Sequence, residues 1–314
     1  MKLDFSNLRI LVIGDFMIDH YIMGSSNRIS PEAPVPVVIP NEEFSIPGGA
    51  GNVAMNLRSL GSNVYCDGIV GEDKWGKKLI KIFEKNNINC NRIVSLKNHP
   101  TTVKKRIYSN KKQVARLDIE KVIDWDYNNN ILSDFDKYDI IILSDYNKGV
   151  LSNSKDIINH IKSINPANII IVDPKKNDFD QYDGSNIITP NLLELGRATN
   201  RSIKDEKSVL NACYQILDKY NFEYICAKKG KDGMTIVGKN GYKKDIKPRF
   251  VENPDVTGAG DTAISSLALT YAQTKDIEFS ATVANTAASI AVGKTGTAMV
   301  HIEELNQLIS SKID

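Results

Sequence analysis

The sequence predicts an α/β fold: a doubly wound, mostly parallel sheet with helices on both faces, plus a small antiparallel β lid. Short apolar runs, of the length of buried parallel strands, alternate with helical patterns along the 314 residues. Two other segments break this alternation, one rich in proline and one rich in lysine and arginine. The length suits one large domain, so we expect a single domain over residues 1–314.

The elements of the main sheet follow from the apolar runs. Strands are predicted at 10–13, 64–70, 140–143, 169–172, 224–227 and 234–237. Helices are predicted at 52–60, around 79–83, and at 209–220, 262–273 and 280–292. Such alternation is typical of βαβ units, whose parallel strands place helices on both faces of one sheet. Gly233, just before the last predicted strand, indicates a hairpin.

The lid is predicted from two segments, about 20–46 and 99–118. The first contains a proline-rich run at 30–40, and proline fits an edge strand rather than a central one. The second alternates loosely and carries six basic residues, which are Lys104, Lys105, Arg106, Lys111, Lys112 and Arg116. Two surface loops are the alternative; we favour a small sheet that projects from the main body.

Composition narrows the class of protein. Forty basic residues against thirty-eight acidic ones give a net charge of +2, which supports neither nucleic-acid nor membrane binding. No apolar run approaches the roughly 20 residues of a membrane span, and the N-terminus lacks a signal-peptide pattern. We therefore expect a cytoplasmic protein. The four cysteines and four histidines show no spacing typical of a zinc site.

The run Asp-Val-Thr-Gly-Ala-Gly-Asp at 255–261, directly before a predicted helix, is the most informative motif. The backbone N–H groups of Gly258, Ala259 and Gly260 can converge on one point, where the helix adds its positive dipole end. Asp261 lies at the junction. An anion cradle with a carboxylate beside it suits the transfer of a phosphoryl group to a hydroxyl.

Other interpretations of this run are weaker. A glycine-rich turn with Asp261 as a helix cap would need no catalytic role. Gly258, Gly260 and Ala263 also fit a dinucleotide fingerprint, but polar residues precede them and only about fifty residues follow, too few for a Rossmann domain. The sequence has no P-loop motif.

Two groups of residues are candidates for binding a sugar. Asp15 and Asp19 follow the first predicted strand, and a carboxylate at a strand's carboxyl end can accept two hydroxyl hydrogen bonds. Gly48 and Gly49 precede a helix that opens near Asn52, whose amide both donates and accepts. Taken singly, Asp15 could be a strand-end cap and the glycines a plain turn.

Two further groups are candidates for the nucleotide side. Asn191 and Glu194 are spaced to share the first turn of a helix, where they could hold magnesium-bound water near phosphates. The alternative is a helix start in which Glu194 stabilises the dipole. The turn with Lys229, Gly230 and Gly233 is either a nucleotide contact or a hairpin turn.

Together these motifs resemble those of the ribokinase-like (PfkB) carbohydrate kinases, in order and spacing over essentially the whole chain. The similarity rests on Gly48-Gly49 with Asn52, on Asn191 with Glu194, and on 255–261. One branch is more similar still, the D-glycero-β-D-manno-heptose-7-phosphate kinases. The runs that resemble this branch are 14–19, 28–38, 143–149 and 172–175.

The resemblance implies roles by position. Asp261 would be the base, beside an anion hole of Gly258, Ala259 and Gly260. The sugar would be held by Asp19, Gly48, Gly49 and Asn52, with Asp15 close by. ATP and Mg²⁺ would lie near Asn191 and Glu194, with the adenine near Asn285. The family also implies a monovalent cation such as K⁺ by Asp255 and Thr257, and a homodimer formed through the lid.

The implied reaction is ATP-dependent phosphorylation of the anomeric hydroxyl of D-glycero-D-manno-heptose 7-phosphate, giving the 1,7-bisphosphate that supplies ADP-heptose for lipopolysaccharide. A substrate that carries a phosphate needs a basic clamp, for which Arg106 is preferred over Lys104, Arg116 and Lys175. Another ribokinase-like kinase, for a hexose phosphate, pentose or nucleoside, and a non-catalytic sugar-binding member are the alternatives. No H-x-G-H motif occurs, so no nucleotidyltransferase domain is expected in this chain.

Overall fold

The computed structural model describes residues 2–123, 125, 134–252, 254–294 and 298–310. The strands are β1 (Arg9–Gly14), β2 (Phe16–Ser25), β3 (Ile39–Gly49), β4 (Asn63–Gly71), β5 (Asn89–Leu96), β6 (Thr102–Ser109), β7 (Lys112–Ile119), β8 (Ile140–Ser144), β9 (Ile169–Asp173), β10 (Ile187–Ile188), β11 (Tyr224–Lys228), β12 (Met234–Gly238) and β13 (Lys243–Ile246). The helices are α1 (Ala50–Ser59), α2 (Lys74–Lys85), α3 (Ser154–Ile164), α4 (Leu192–Thr199), α5 (Glu206–Lys219), α6 (Ala259–Thr274), α7 (Ile277–Val292) and α8 (Ile302–Ser310).

Nine strands form the main sheet, in the order β13-β12-β11-β10-β9-β8-β1-β4-β5. The seven strands from β11 to β5 run parallel, and β12 and β13 are antiparallel to their neighbours. The predicted fold class is confirmed. The hairpin at Gly233 is present as the β11–β12 connection.

Helices cover the main sheet on both faces, because the central strands bury side chains on both sides. In β1, Ile10 and Val12 pack into one hydrophobic cluster with α1, α6, α7 and α8. Leu11 and Ile13 point the other way and pack with α3, α4 and α5. This explains the continuous apolar runs of the sequence, since a strand covered on both faces has no solvated side.

The lid is a second sheet of four strands, in the order β3-β2-β6-β7. Its β2–β3 and β6–β7 pairs are antiparallel, and its central β2–β6 pair is parallel. The proline-rich run is not itself a strand: apart from a bridge between Ile29 and Pro36, pairing resumes only at Ile39. Closely spaced prolines lack the N–H groups that a ladder needs, and β3, which holds Pro40, lies at the sheet edge.

Two of the connections between the lid and the main body lie side by side where β1 ends. A single residue, Asp15, separates β1 from β2, and β3 passes directly into α1. The Ala50 N–H donates to the Asp15 carbonyl at 3.1 Å, so these two connections are bonded to each other. The lid therefore rises from the carboxyl ends of the strands, the usual place for a ligand crevice in such a sheet.

Helix α6 is buried from Asp261 to Tyr271 although it is rich in hydroxyl side chains. Those hydroxyls donate to carbonyls one turn earlier, as from Ser265 to Asp261 at 2.7 Å and from Thr270 to Ser266 at 2.8 Å. Satisfying the hydroxyls locally allows close packing of α6 on α1 and α7. None of the described helices has the length and apolarity needed to cross a membrane.

Candidate active site

Helix α6 begins with the turn that the sequence singled out. Gly258 has a φ of 77°, a left-handed conformation that favours glycine, and the first intrahelical bond runs from the Thr262 N–H to the Gly258 carbonyl at 3.0 Å. The N–H groups of Gly260 and Asp261 precede that bond and so have no acceptor within the helix. The Ala259 N–H differs from the prediction, because it donates to the Val256 carbonyl at 3.3 Å. The helix thus leaves the amides of Gly260 and Asp261 for the predicted cradle, and Asp261 is a donor that the sequence analysis did not name.

The Asp261 carboxylate is held between two other elements. Its Oδ2 accepts a hydrogen bond from Nδ2 of Asn52 in α1, and its Oδ1 accepts one from the Tyr146 hydroxyl after β8, both at 2.6 Å. Asn56 Nδ2 lies 3.2 Å from the Asn52 side-chain oxygen, which fixes the orientation of that amide. A carboxylate fixed at both oxygens is positioned to orient a third group.

Burial tunes the acidity of this carboxyl. Asp261 is only 9 % exposed. Burial raises its pKa to about 6, against the opposing effect of the hydrogen bonds from Tyr146 and Asn52. A carboxyl with a pKa near neutrality is a better proton acceptor than an ordinary one.

The pKa of Asp261 predicts a pH dependence. A base works only when ionised, so kcat/KM should be constant above pH 7 and should fall by about tenfold per pH unit well below pH 6. A pH profile of kcat/KM on the free enzyme measures this limb. A limb centred near pH 4, the ordinary range of an exposed aspartate, would contradict the assignment.

The predicted sugar residues of the lid meet at one place. The Arg106 guanidinium lies 2.6 Å from Asp19 Oδ1, across the β2–β6 pair. A Cβ on Gly48 would lie 2.7 Å from Asp19 Oδ2, so only glycine leaves room beside that carboxylate. Lys104, opposite Asp19 in the register, has its ammonium 5.6 Å from the centre of the Tyr146 ring. The lid residues thus adjoin the tyrosine that contacts Asp261.

Asp15 does not match its predicted role as a sugar ligand. Its carboxylate is 2 % exposed and accepts hydrogen bonds from three backbone N–H groups, those of Tyr146 at 2.9 Å, Lys148 at 3.0 Å and Val150 at 3.2 Å. Burial and the neighbouring Asp145 raise its pKa, and the three N–H groups oppose that rise. Asp15 is a positioning residue, because it fixes the loop that carries Tyr146.

Asn191 and Glu194 form a capping box at the start of α4. The Glu194 N–H donates to the Asn191 side chain and the Asn191 N–H donates to Glu194 Oε2, both at 2.9 Å. The helix-start interpretation is therefore correct, and the buried Glu194 carboxylate also faces other charges. The Lys175 ammonium lies 3.5 Å from Glu194 Oε1, so it adjoins a predicted nucleotide residue rather than the predicted sugar ligands.

The basic turn after β11 is the hairpin turn of the second interpretation. Lys229 bonds to the carboxylate of Asp245 on β13, and Gly230 opens a single 3-10 turn that ends before Gly233. The preceding residue, Lys228, instead bonds to the carboxylate of Asp173 at the end of β9. Sequence reasoning gave no individual role to Tyr146, Asp173 and Lys228, which the structure places beside Asp261 and Gly260. All three lie at or just after the carboxyl ends of parallel strands, and that position was the available signal.

The remaining candidates lie just before α6 and on α7. The Asp255 carboxylate accepts a hydrogen bond from the Thr257 N–H at 3.0 Å. Asn285, half-buried in the middle of α7, donates to the Lys247 carbonyl at 2.7 Å. Across the described part of the chain, no group of three or more His, Cys, Asp or Glu side chains could hold a metal ion. A metal at this site would need other ligands as well.

Comparison of the sequence with known proteins identifies a family and several relatives. Residues 7–303 match the pfkB family of carbohydrate kinases. The chain is 41 % identical over 311 residues to the bifunctional protein HldE of Aliarcobacter butzleri, with 96 % of this chain and 64 % of the relative covered. It is 38 % identical over 318 residues to HldE of Haemophilus influenzae strain PittEE, with 98 % and 65 % covered. The chain thus spans a little under two thirds of these relatives.

Solved structures share the fold at lower identity. Arabidopsis thaliana ribokinase, complexed with ribose and ATP, superposes with a TM-score of 0.78 at 19 % identity, covering 96 % of this chain and 98 % of the other. Escherichia coli phosphofructokinase-2, in complex with potassium, superposes with a TM-score of 0.80 at 17 % identity, covering 98 % and 100 %. By its family match and its relatives, the chain belongs to the pfkB family of carbohydrate kinases and is a phosphotransferase that acts on a sugar.

Proposed function

We propose that this kinase transfers the γ-phosphoryl group of ATP to the anomeric hydroxyl of D-glycero-D-manno-heptose 7-phosphate, as a single catalytic domain in the supply of ADP-heptose for lipopolysaccharide. The observation that carries the proposal is the Asp261 carboxylate, buried at the start of α6 and held by Asn52 and Tyr146. The choice of heptose is supported by the relatives named HldE and by the runs 14–19 and 143–149.

The chain's own residues act mainly by positioning. The sugar hydroxyl lies against Asp261, which orients it and accepts its proton late, as the new bond to phosphorus forms. The free amides of Gly260 and Asp261, at the positive end of the α6 dipole, stabilise charge on the transferred oxygens. Asp19 accepts hydrogen bonds from sugar hydroxyls, and Gly48 leaves space beside that carboxylate. Gly49, with a φ of 57° and close to Met17 and the Asp15 carbonyl, allows the tight turn into α1.

Mg²⁺ fits the nucleotide side of the site. Glu194 is a buried carboxylate, and burial raises its pKa while the ammonium of Lys228 lowers it. One carboxylate, with water and the nucleotide phosphates as the other ligands, is a common magnesium arrangement, which agrees with the lack of a larger acidic group among the described residues. When bound, Mg²⁺ neutralises charge on the ATP phosphates.

Further contacts belong to the same proposal. Asn191 and the turn with Lys229, Gly230 and Gly233 border the nucleotide, and Asn285 lies towards the adenine. Asp255 and Thr257 hold a monovalent cation such as K⁺ beside the start of α6, where it supports the cradle. Activity in K⁺, compared with choline at equal ionic strength, tests the cation.

The substrate phosphate requires a cation in the lid. Arg116 is the weakest candidate, because it is half exposed and bonds to Asp118 on its own strand. Arg106 and Lys104 flank Asp19, and partial burial of Lys104 lowers the pKa of its ammonium. We assign the substrate phosphate to these two residues.

Arg106→Ala is expected to raise the KM for the sugar phosphate by about 10- to 100-fold, since a hydrogen bond to a charged group contributes about 1.5–3 kcal/mol. The KM for ATP should change little, because the Arg106 guanidinium bonds to Asp19 of the lid. Steady-state kinetics with each substrate varied in turn measures both values. Lys112→Ala, an exposed change on β7, is the control. Equal changes in both KM values would remove Arg106 from the substrate clamp.

Product analysis tests the function. The protein is incubated with ATP, Mg²⁺ and, separately, heptose 7-phosphate, fructose 6-phosphate, ribose and adenosine, and the products are identified by mass spectrometry and ³¹P NMR. A heptose bisphosphate with a phosphate on the anomeric carbon is expected. Faster conversion of the hexose phosphate, the pentose or the nucleoside would identify another kinase of the family and refute the heptose assignment.

The lid also supports a homodimer. Exposed apolar side chains concentrate there, at Ile39, Phe44, Val114 and Leu117. Ile39 and Phe44 lie on one edge strand, β3, and Val114 and Leu117 on the other, β7. Exposed apolar side chains on a small sheet commonly mark a protein interface. Analytical ultracentrifugation should show a dimer that Leu117→Asp weakens and that Phe250→Asp, at an exposed phenylalanine outside the lid, leaves unchanged. A monomer at micromolar concentration would contradict the dimer.

The proposed reaction draws on cytoplasmic ATP. All four cysteines are buried free thiols, as expected in a reducing compartment. We therefore place the protein in the cytoplasm.

A further inference from the structure

Lys228, the last residue of β11, reaches the centre of the candidate site. Its side chain is 16 % exposed, and its ammonium bonds to the Asp173 carboxylate. A Cβ built on Gly260 would lie 3.6 Å from the Lys228 Nζ. The ammonium therefore adjoins the turn that carries the Gly260 and Asp261 amides.

Charges on both sides keep Lys228 ionised. Burial disfavours the ammonium, but the carboxylates of Asp173 and Glu194 outweigh burial, so that the pKa of Lys228 lies above its ordinary value. Asp261 also acts on it electrostatically, more weakly. The ammonium thus lies in the field of the carboxylate on the nucleotide side and that of the carboxylate on the acceptor side.

We propose that Lys228 is a further catalytic residue, whose ammonium contacts the oxygens of the phosphoryl group during its transfer. The proposal rests on the kinase reaction described above. The bond from phosphorus to the ADP oxygen breaks, the bond to the sugar oxygen forms, and the hydroxyl proton passes to Asp261. Lys228 keeps its protons throughout and acts as a point charge, a role for which lysine is suited at phosphate sites.

The competing explanation is that Lys228 only neutralises Asp173. Asp173 has a second partner, since the Thr189 hydroxyl donates to its Oδ1 at 3.0 Å, so Lys228 is not its sole support. The proximity to Gly260 also has no function in a purely structural ion pair. In our proposal, Asp173 positions the Lys228 ammonium. Removing the Asp173 carboxylate therefore tests whether Lys228 acts on the phosphoryl group or only on Asp173.

The test compares Lys228→Gln with the double variant Lys228→Gln/Asp173→Asn. In the double variant no buried carboxylate is left unpaired, so it should fold even if the single variant is destabilised. Both are expected to lose about 10²- to 10³-fold in kcat, the usual loss for a donor to a developing charge, with the sugar KM nearly unchanged. Recovery of kcat in the double variant would show that Lys228 serves Asp173 alone and would overturn the proposal.

A binding measurement gives a readout independent of turnover. Calorimetry measures the affinity of each variant for Mg·ADP alone and for Mg·ADP with aluminium fluoride and the sugar, a mimic of the transferring group. Loss of Lys228 should weaken binding of the mimic by at least tenfold more than binding of Mg·ADP, because the contact is made in the transition state. Equal weakening of both would refute the role. Lys244→Gln, at an exposed lysine of β13 that pairs with Glu278, is the matched control.

The two proposals fail separately. The sugar used in these measurements is whichever one the wild-type protein phosphorylates fastest in the product analysis. If that sugar is not heptose 7-phosphate, the heptose assignment fails while the comparison of Lys228 variants stays valid. If heptose 7-phosphate is the substrate and the double variant recovers, only the role of Lys228 fails.

Discussion

Asp261→Asn is expected to lower kcat by about 10²- to 10⁴-fold, the usual contribution of a positioned base. The amide keeps the shape of the carboxylate but cannot accept the sugar proton. Its oxygen can still accept from Asn52, and its NH₂ can donate to the Tyr146 oxygen, which accepts as well as donates. The loss should therefore come from chemistry rather than from rearrangement of the site.

The stability of Asp261→Asn distinguishes a loss of proton transfer from a rearrangement of the site. The substitution removes a buried charge that burial disfavours, so the melting temperature should stay equal or rise. Calorimetric ATP affinity should also be preserved. Asp218→Asn, at an exposed aspartate of α5, should match the wild type in kcat and melting temperature. Near-normal turnover in Asp261→Asn would show that another group accepts the proton.

Asp15→Ala is expected to have the largest effect on stability. The change leaves three buried or half-buried backbone N–H groups without their acceptor, at Tyr146, Lys148 and Val150. Each unsatisfied donor costs about 1–3 kcal/mol, so the free energy of unfolding should fall by about 3 kcal/mol or more. Since the same loop carries Tyr146, the hydrogen bond to Asp261 should be lost as well, and kcat should fall in the protein that remains folded.

Urea unfolding followed by circular dichroism measures the stability loss. Asp218→Ala is the control, because it removes an exposed carboxylate from the surface of α5. If Asp15 were instead a sugar ligand, Asp15→Ala would keep its stability and would mainly raise the KM for the sugar phosphate. That result would reverse the assignment made from the structure.

The main sheet was predictable because burial on both faces leaves unbroken apolar runs, as in β1, β8 and β9. Three strands escaped for physical reasons. β10 has only two residues. β5 and β13 lie at the two edges of the sheet and are mostly polar, as with Asn89 and Arg92 in β5. The two segments predicted to form the lid do form a small sheet. The parallel pairing of β2 with β6 was not predictable, because it depends on contacts between residues far apart in the sequence.

The site was predictable where a short motif carries its own geometry, as in the turn before α6 and the capping box of Asn191 and Glu194. The site was not predictable where a shift of one residue along the chain changes which way a side chain points. Lys228 and Lys229 are adjacent, yet one bonds to Asp173 and the other to Asp245 on β13. Successive residues of a strand point to opposite faces, so a basic pair alone does not tell which member enters the site.

The bonded connections at Asp15 and Ala50 have a mechanical consequence. One residue separates β1 from β2, and none separates β3 from α1. At these two connections the lid therefore has no flexible linker. If the lid moves relative to the main sheet to admit the sugar, β2 and β3 are therefore expected to bend. Because Asp15 in the same junction also accepts a hydrogen bond from the Tyr146 N–H, movement of the junction would be transmitted to the tyrosine that holds Asp261.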